Sequence, residues 1–234
     1  MTTTKEGVTS FVGRLFAAGA HFGQVKSRRH PSMKGAVLGT KDKVEIIDLA
    51  KTGDALERAK AALAAMGREG KTVMFVGGKQ ELASAVRQAA ESINAPFVAG
   101  RWLGGTLTNF TEIKKRIDRL AELKDKRASG TLAKQHTKLE LIRLEREEKR
   151  LAERLHGIEA LEKRPHMMVV VDTRHEHHAT KEARDLGIPV VGVIGSDCNL
   201  ADSAFPIVAN DASRQTVSLI LGELTAAFAE GRKG

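Results

Sequence analysis

At 234 residues, 41% hydrophobic and 29% charged, the chain has enough apolar content for one large or two small domains, and its composition excludes a disordered chain. Its one cysteine, Cys198, excludes an intramolecular disulfide framework and a cysteine zinc cluster. The net charge of +9 is unevenly placed: residues 1–41 hold seven Lys/Arg against Glu6 alone, residues 111–156 fourteen against nine acids, and the remainder seventeen against nineteen, which points to a polyanionic partner, a nucleic acid or an acidic membrane surface.

No apolar leader is apparent in the first ten residues, and runs such as Met167–Val171 fall far short of the roughly 18 residues that suggest a membrane span; a cytosolic location is expected. Apolar Val8, Phe11, Val12, Leu15 and Phe16 predict a helix over Val8–Ala20. Lys26, Arg28, Arg29, His30 and Lys34 follow in a stretch broken by Gly23 and Pro31, so these bases are expected on a loop. Ala36–Leu38 and Val44–Leu49 read as short strands about a Lys41-Asp42-Lys43 turn. The next predicted helix is Asp54–Met66, on Leu56, Ala59, Leu63 and Met66, with Asp54 and Glu57 as a capping box. Thr72–Val76 reads as a buried strand, Gln80–Ile93 as a helix and Phe97–Ala99 as another strand.

The stretch FVAGRWLGGTLTNF, Phe97 to Phe110, holds the only tryptophan, Trp102, beside Arg101 and ahead of Gly104-Gly105. It reads as a strand, a glycine turn and a helix start, with Asn109 and Glu112 as a capping box. Between Asn109 and Ile158 there is no strand. Phe110, Ile113, Ile117 and Leu120 form one narrow stripe; Leu141, Leu144, Leu151, Leu155 and Ile158 form a second, with Glu148 at a seam position. Alternating three- and four-residue steps around a break near Ala128-Ser129-Gly130 predict an antiparallel coiled-coil hairpin projecting from the body. Met167–Val171, Glu176–Leu186 and Pro189–Ile194 then give strand, helix, strand, and Ser213–Phe228 a closing helix. Continuous Val/Ile/Met strands separated by helices imply a parallel sheet covered on both faces, a three-layer α/β body of residues 1–108 and 159–234 with 109–158 inserted.

Small and polar residues follow the predicted strands: Gly77-Gly78-Lys79, Gly100-Arg101-Trp102, Asp172-Thr173-Arg174-His175 and Gly195-Ser196-Asp197-Cys198. In an open parallel sheet ligands collect there. No phosphate-binding or dinucleotide motif matches, and no G-x-S-x-G elbow exists. His175-Glu176-His177-His178 is not H-E-x-x-H, and neighbouring helical residues point about 100° apart, so a polar helix start is the better reading; a divalent cation at Asp172 or Asp197 stays open. Neither a catalytic group nor a cofactor or metal site is assigned. The basic loop and the hairpin are the candidate polyanion contacts. Absent tyrosine and 4% aromatics argue against a stacking sheet and for backbone contacts.

RWLGGTLTNF, with LFAAGAHFG at Leu15–Gly23 and PHMMVVVDTRHEHHATKEARDLGIPVVGV at Pro165–Val193, resembles the bacterial small-subunit ribosomal protein S-two family, in family order from about Phe11 to Phe228. The resemblance implies a structural, non-enzymatic constituent of the small ribosomal subunit that packs on small-subunit rRNA beside other small-subunit proteins. It also implies a flavodoxin-like sheet with a projecting coiled coil, and an association with ribosomal protein S-one, with no membrane or small-molecule partner. On that reading the candidate RNA-binding residues are Lys26, Arg28, Arg29, His30 and Lys34 of the loop and Arg101, Trp102, Thr108 and Asn109 of the tryptophan segment. Lys114, Lys115, Arg143 and Arg146 of the hairpin complete the set. Gln24-Val25-Lys26-Ser27 and Ser213-Arg214-Gln215 depart from the commoner family pattern. The alternative is a flavodoxin-like nucleotide-binding or signalling domain with a helical arm; a bare coiled-coil scaffold is a second rival.

Overall fold

The glycine-broken sequence at the start of the chain builds a small antiparallel ribbon, not only a loop. In the computed structural model, which describes residues 11–132 and 137–233, a helix over 11–17 (α1) precedes Phe22–Val25 (β1), Val37–Lys41 (β2) and Val44–Ile47 (β3). These strands form a sheet of order β1-β3-β2. Asp42 and Lys43, with φ of 50° and 69°, make the left-handed two-residue turn that matches strand twist in a β2–β3 hairpin. The basic stretch sits on two 3-10 turns between β1 and β2, Lys26–Arg28 and Pro31–Gly35. Val8 lies outside the described residues, and Phe16, assigned to the apolar helix face, is exposed.

The rest of the chain runs Leu49–Arg68 (α2), Val73–Val76 (β4), Ala83–Ser92 (α3), Phe97–Val98 (β5), Phe110–Ala128 (α4), Lys138–Leu155 (α5), Met167–Val171 (β6), His177–Asp185 (α6), Val190–Ile194 (β7), Phe205–Val208 (β8) and Arg214–Lys233 (α7), with β8 the element not expected from the sequence. The five later strands form one parallel sheet of order β5-β4-β6-β7-β8. Two predicted capping boxes do not form. α2 begins at Leu49, where Asp48 accepts from the N–H groups of Ala50 and Lys51 at 3.1 and 3.4 Å, so Asp54 lies inside the helix. Asn109 precedes α4 without a side-chain cap bond; the capping box of the hairpin is Thr137 with Glu140, at the start of α5.

Strand alternation sorts the core into two faces. Val73, Phe75, Val169, Val191 and Ile207 pack with Leu56, Leu63, Val86, Ile220, Leu221 and Leu224 of α2, α3 and α7. Met74, Val76, Met168 and Val170 pack on the other side with Ile113, Ile117 and Leu120 of α4, Leu155 at the end of α5, and Ala179 and Ala183 of α6. The result is three layers, and the base of the α4–α5 pair belongs to one of them. Each large aliphatic chain buried this way contributes about 1.5–3 kcal/mol. Gly157, just after α5, has φ +87°, and a Cβ there would collide with the backbone oxygen of Phe97; only glycine lets the returning chain lie against β5. A third cluster, Met33, Ile47, Ile194, Cys198 and Val208, fastens the ribbon to the carboxyl ends of β7 and β8.

Candidate nucleic-acid interface

On the ribbon, Lys26, Arg28 and Lys34 are exposed and have no ion pair among the described residues, as do Lys41 and Lys43 at the hairpin turn. Arg29 differs. Its guanidinium lies 3.2 Å from Glu45 Oε1, and Glu45 is fully buried. The approach lacks hydrogen-bond geometry, so Arg29 neutralises the carboxylate chiefly by proximity. His30 is half-buried and structural: its ring accepts from Ser32 N–H at 3.3 Å, and its own N–H donates to Ser196 O at 3.0 Å.

The tryptophan segment is organised by a residue that no local motif marks. Glu182, on α6, accepts at Oε1 from Trp102 Nε1 (3.0 Å) and Gly105 N–H (2.8 Å), and at Oε2 from Leu107 N–H (2.9 Å) and Thr108 N–H (3.2 Å). Burial opposes its charge, but the donors of Trp102, Leu107, Gly105 and Thr108 outweigh that and hold the carboxyl below its ordinary range. Trp102 is therefore a buried anchor, 8% exposed. Arg101, Thr108 and Asn109 remain at the surface. Arg101 lines a cleft of about 440 Å³ with Gly78, Trp102, His175, Glu176 and His178.

The helices α4 and α5 carry their charges differently. On α4, Lys114 pairs with Asp118, Lys115 with Glu112, and Arg119 with Glu122 and with Glu147 of α5. Arg127 reaches Glu148 at 3.0 Å, which satisfies the acid at the predicted seam. On α5, Arg143, Arg146, Lys149, Arg150 and Arg154 are exposed with no ion pair among the described residues. Sequence reasoning named only the first two. The 143, 146, 150, 154 spacing of arginines along one helical face was a legible signal for the rest.

At the carboxyl ends of the parallel strands most polar groups engage one another, although Asp211 Oδ2 and Thr173 Oγ1 are buried without a hydrogen bond among the described residues. Lys79 Nζ lies 2.6 Å from Asp172 Oδ2 and 3.7 Å from Asp211 Oδ2. Asp172, at φ 60°, also accepts from the N–H groups of Arg174 and His175 at 3.1 and 3.0 Å. Burial acts against charge at both Asp172 and Lys79; the ion pair prevails, lowering the carboxyl and raising the amine. Asp211 is pushed up to about 6 by burial and by the nearby Asp172, and burial pushes the Cys198 thiol up to about 12. Asp172, Cys198 and Asp211 each place a ligand atom within 4.8 Å of the others, but Lys79 already supplies the cation there. Gly78 N–H, which a phosphate would need, donates to Glu176 Oε1 at 2.9 Å. This end of the sheet is acidic and occupied by its own contacts, which is unsuited to a phosphate.

A family model described as Ribosomal protein S2 matches residues 15–231. Relatives named small ribosomal subunit protein uS2 include that of Kocuria rhizophila, 39% identical over 213 residues, covering 91% of this chain and 75% of the relative, and that of Wolinella succinogenes, 40% identical, covering 93% and 80%. The uS2c protein of Rhodomonas salina is 38% identical, covering 95% and 91%. With a family match over nearly its whole length, the chain belongs to the ribosomal protein S2 family, a family of ribosomal structural proteins and not of enzymes.

Proposed function

We propose that this protein is a structural constituent of the small ribosomal subunit in the cytoplasm, held on small-subunit rRNA by phosphate contacts from the N-terminal ribbon and the outer face of α5. The observation that carries this is the set of exposed cations without ion pairs, Lys26, Arg28 and Lys34 on the ribbon with Arg143 and Arg146 on α5, in a chain of the S2 family. Arg101, Thr108 and Asn109 form a secondary contact over the buried Trp102. Lys114 and Lys115 join only by exchanging their carboxylate partners for phosphate. Arg29 and His30 position the ribbon. Neighbouring small-subunit proteins, with ribosomal protein S-one among them, are the protein partners of this reading.

The sheet is read as flavodoxin-like, supported by a strand order that becomes 2-1-3-4-5 when counted from β4. The α4–α5 pair is read as an antiparallel coiled-coil insertion, 109–158, supported by the Arg119–Glu147 and Arg127–Glu148 contacts between the helices. Because Ile113, Ile117, Leu120 and Leu155 cover the sheet, a Gly/Ser replacement placed beyond Leu123 and before Leu151 is the deletion expected to leave the body cooperatively folded.

The test is co-sedimentation with small subunits together with a salt titration of rRNA binding. About six phosphate contacts give a loss of roughly three decades of affinity between about 50 and 200 mM salt. A protein that stays in the soluble fraction, and whose rRNA binding is indifferent to salt, would refute the proposal. A thermal shift with saturating nucleotide would instead favour a nucleotide-binding domain.

A further inference from the structure

An aromatic column on the N-terminal ribbon has no role in the phosphate contacts just described. Phe16, in α1, is 62% exposed, and Phe22, at the start of β1, is 49% exposed. His21 lies against both: its ring centroid is 4.3 Å from that of Phe16 at an interplanar angle of 13°, and 4.0 Å from that of Phe22 at 38°. The imidazole thus joins the two phenyl rings into one aromatic cluster, stacked on Phe16 and tilted against Phe22.

The column is built by the backbone. Gly19 turns the chain at φ +76° and accepts from Phe22 N–H at 3.3 Å, while His21 O accepts from Ile47 N–H at 2.8 Å. The Nδ1 atom of His21 is buried with no hydrogen-bond partner among the described residues, so the ring is held by stacking. Both phenylalanines nonetheless keep about half or more of their surface open to solvent.

The surroundings select the occupant. Of the cations in residues 11–43, Arg14 and Arg29 face Glu223 and Glu45, but Lys26, Arg28, Lys34, Lys41 and Lys43 are exposed without an ion pair among the described residues, against Asp42 alone. Open π faces beside strong positive charge suit a nucleobase carrying its own phosphate, because every base presents a stackable face and every linkage an anion. We propose that the Phe16–His21–Phe22 column is a stacking post for an unpaired base of the RNA held by the ribbon's cations, an inference that rests on the rRNA-binding reading above.

The experiment is filter binding of the full chain to protein-free small-subunit rRNA across a salt series, with the pairs Phe16→Ala/Phe22→Ala and Phe16→Leu/Phe22→Leu. Both pairs are expected to weaken binding about tenfold with an unchanged salt slope, since a stack is lost and no phosphate contact is. Ultraviolet crosslinking should join rRNA of the wild type to the peptide bearing Phe16 or Phe22. Full affinity in the Leu pair alone means apolar packing and overturns the stack. Full affinity in both pairs also overturns it while the RNA reading stands, whereas failure of the wild type to bind rRNA removes both. If the Ala pair does not fold, the Leu pair, closer in volume, decides.

Discussion

The helices α4 and α5 invert the ranking that a charge count gives them. Residues 110–128 carry seven Lys/Arg against four acids, and residues 138–155 carry six against five. By composition α4 is the more basic. Yet Lys114, Lys115, Arg119, Lys124, Lys126 and Arg127 are all ion-paired, and Glu147 and Glu148 of α5 supply two of those partners. Two acids of α5, Glu147 and Glu148, thus reach its partner helix, while its arginines stay exposed without an ion pair among the described residues. Net charge says how many ions a segment has; only geometry says which are still available to a polyanion. The same division runs through the molecule, between charges that hold the fold and charges that face out of it.

The comparison breaks first at Glu182, the charge most committed to the fold. Glu182→Ala leaves the donors of Trp102, Gly105, Leu107 and Thr108 without their acceptor and should cost about 3 kcal/mol or more in denaturant unfolding, with red-shifted Trp102 emission. An unchanged midpoint would mean that this loop is not held by the carboxylate. Arg29→Ala should cost about 3 kcal/mol, because it strands the buried Glu45, and the companion Glu45→Gln should recover part of the loss. If Arg29→Ala instead leaves stability intact and weakens only RNA binding, Arg29 belongs with the outward charges.

Arg143→Ala/Arg146→Ala should leave stability within about 0.5 kcal/mol but weaken rRNA binding roughly tenfold or more, flattening the log–log salt slope by up to about two. Lys114→Ala/Lys115→Ala should cost less than about threefold, since those cations already have partners. The reverse order would restore the charge count as the better guide. The smallest effect is a pH dependence. Asp211 titrates at about 6 when folded, above its unfolded value, so its ionisation opposes folding. Stability should therefore rise by about 1 kcal/mol as pH falls from about 7 to 5, a gain missing in Asp211→Asn. Asp172 and Glu182, whose carboxyls are held low, lose their contribution only below that window. Parallel profiles for wild type and variant would show that the folded Asp211 carboxyl is not perturbed.

What could be read in advance depended on how local the cause was. β4, β6 and β7 are uninterrupted Val/Met/Ile runs, and the parallel sheet followed from them. β8 was missed because Pro206 argues against a strand; its position at the sheet edge is where a missing N–H is tolerated. β1 was missed because Phe22-Gly23-Gln24-Val25 has neither alternation nor a run. Asn109 and Glu112 match a capping pattern, yet the N–H groups of Leu107 and Thr108 just before α4 go to a carboxylate more than seventy positions away. The candidate site divided the same way: Lys26, Arg28, Lys34, Arg143 and Arg146 are exposed as a basic contact requires, while Arg29 is engaged by a buried acid that no spacing rule reveals.

The helical segment between β5 and β6 also has a kinetic side. Val76 of β4 pairs beside Val170 of β6, about ninety positions along the chain, and a loop of that length must close before the central strands can meet. The helical hydrogen bonds of α4 and α5 are local and the two helices lie against each other, so they can form within microseconds and draw together the chain on either side of them. A preformed arm shortens the effective loop, which lowers the closure cost by about 0.6 kcal/mol for each halving. The helices α4 and α5 would then already have served, during folding, to bring β6 to its place beside β4.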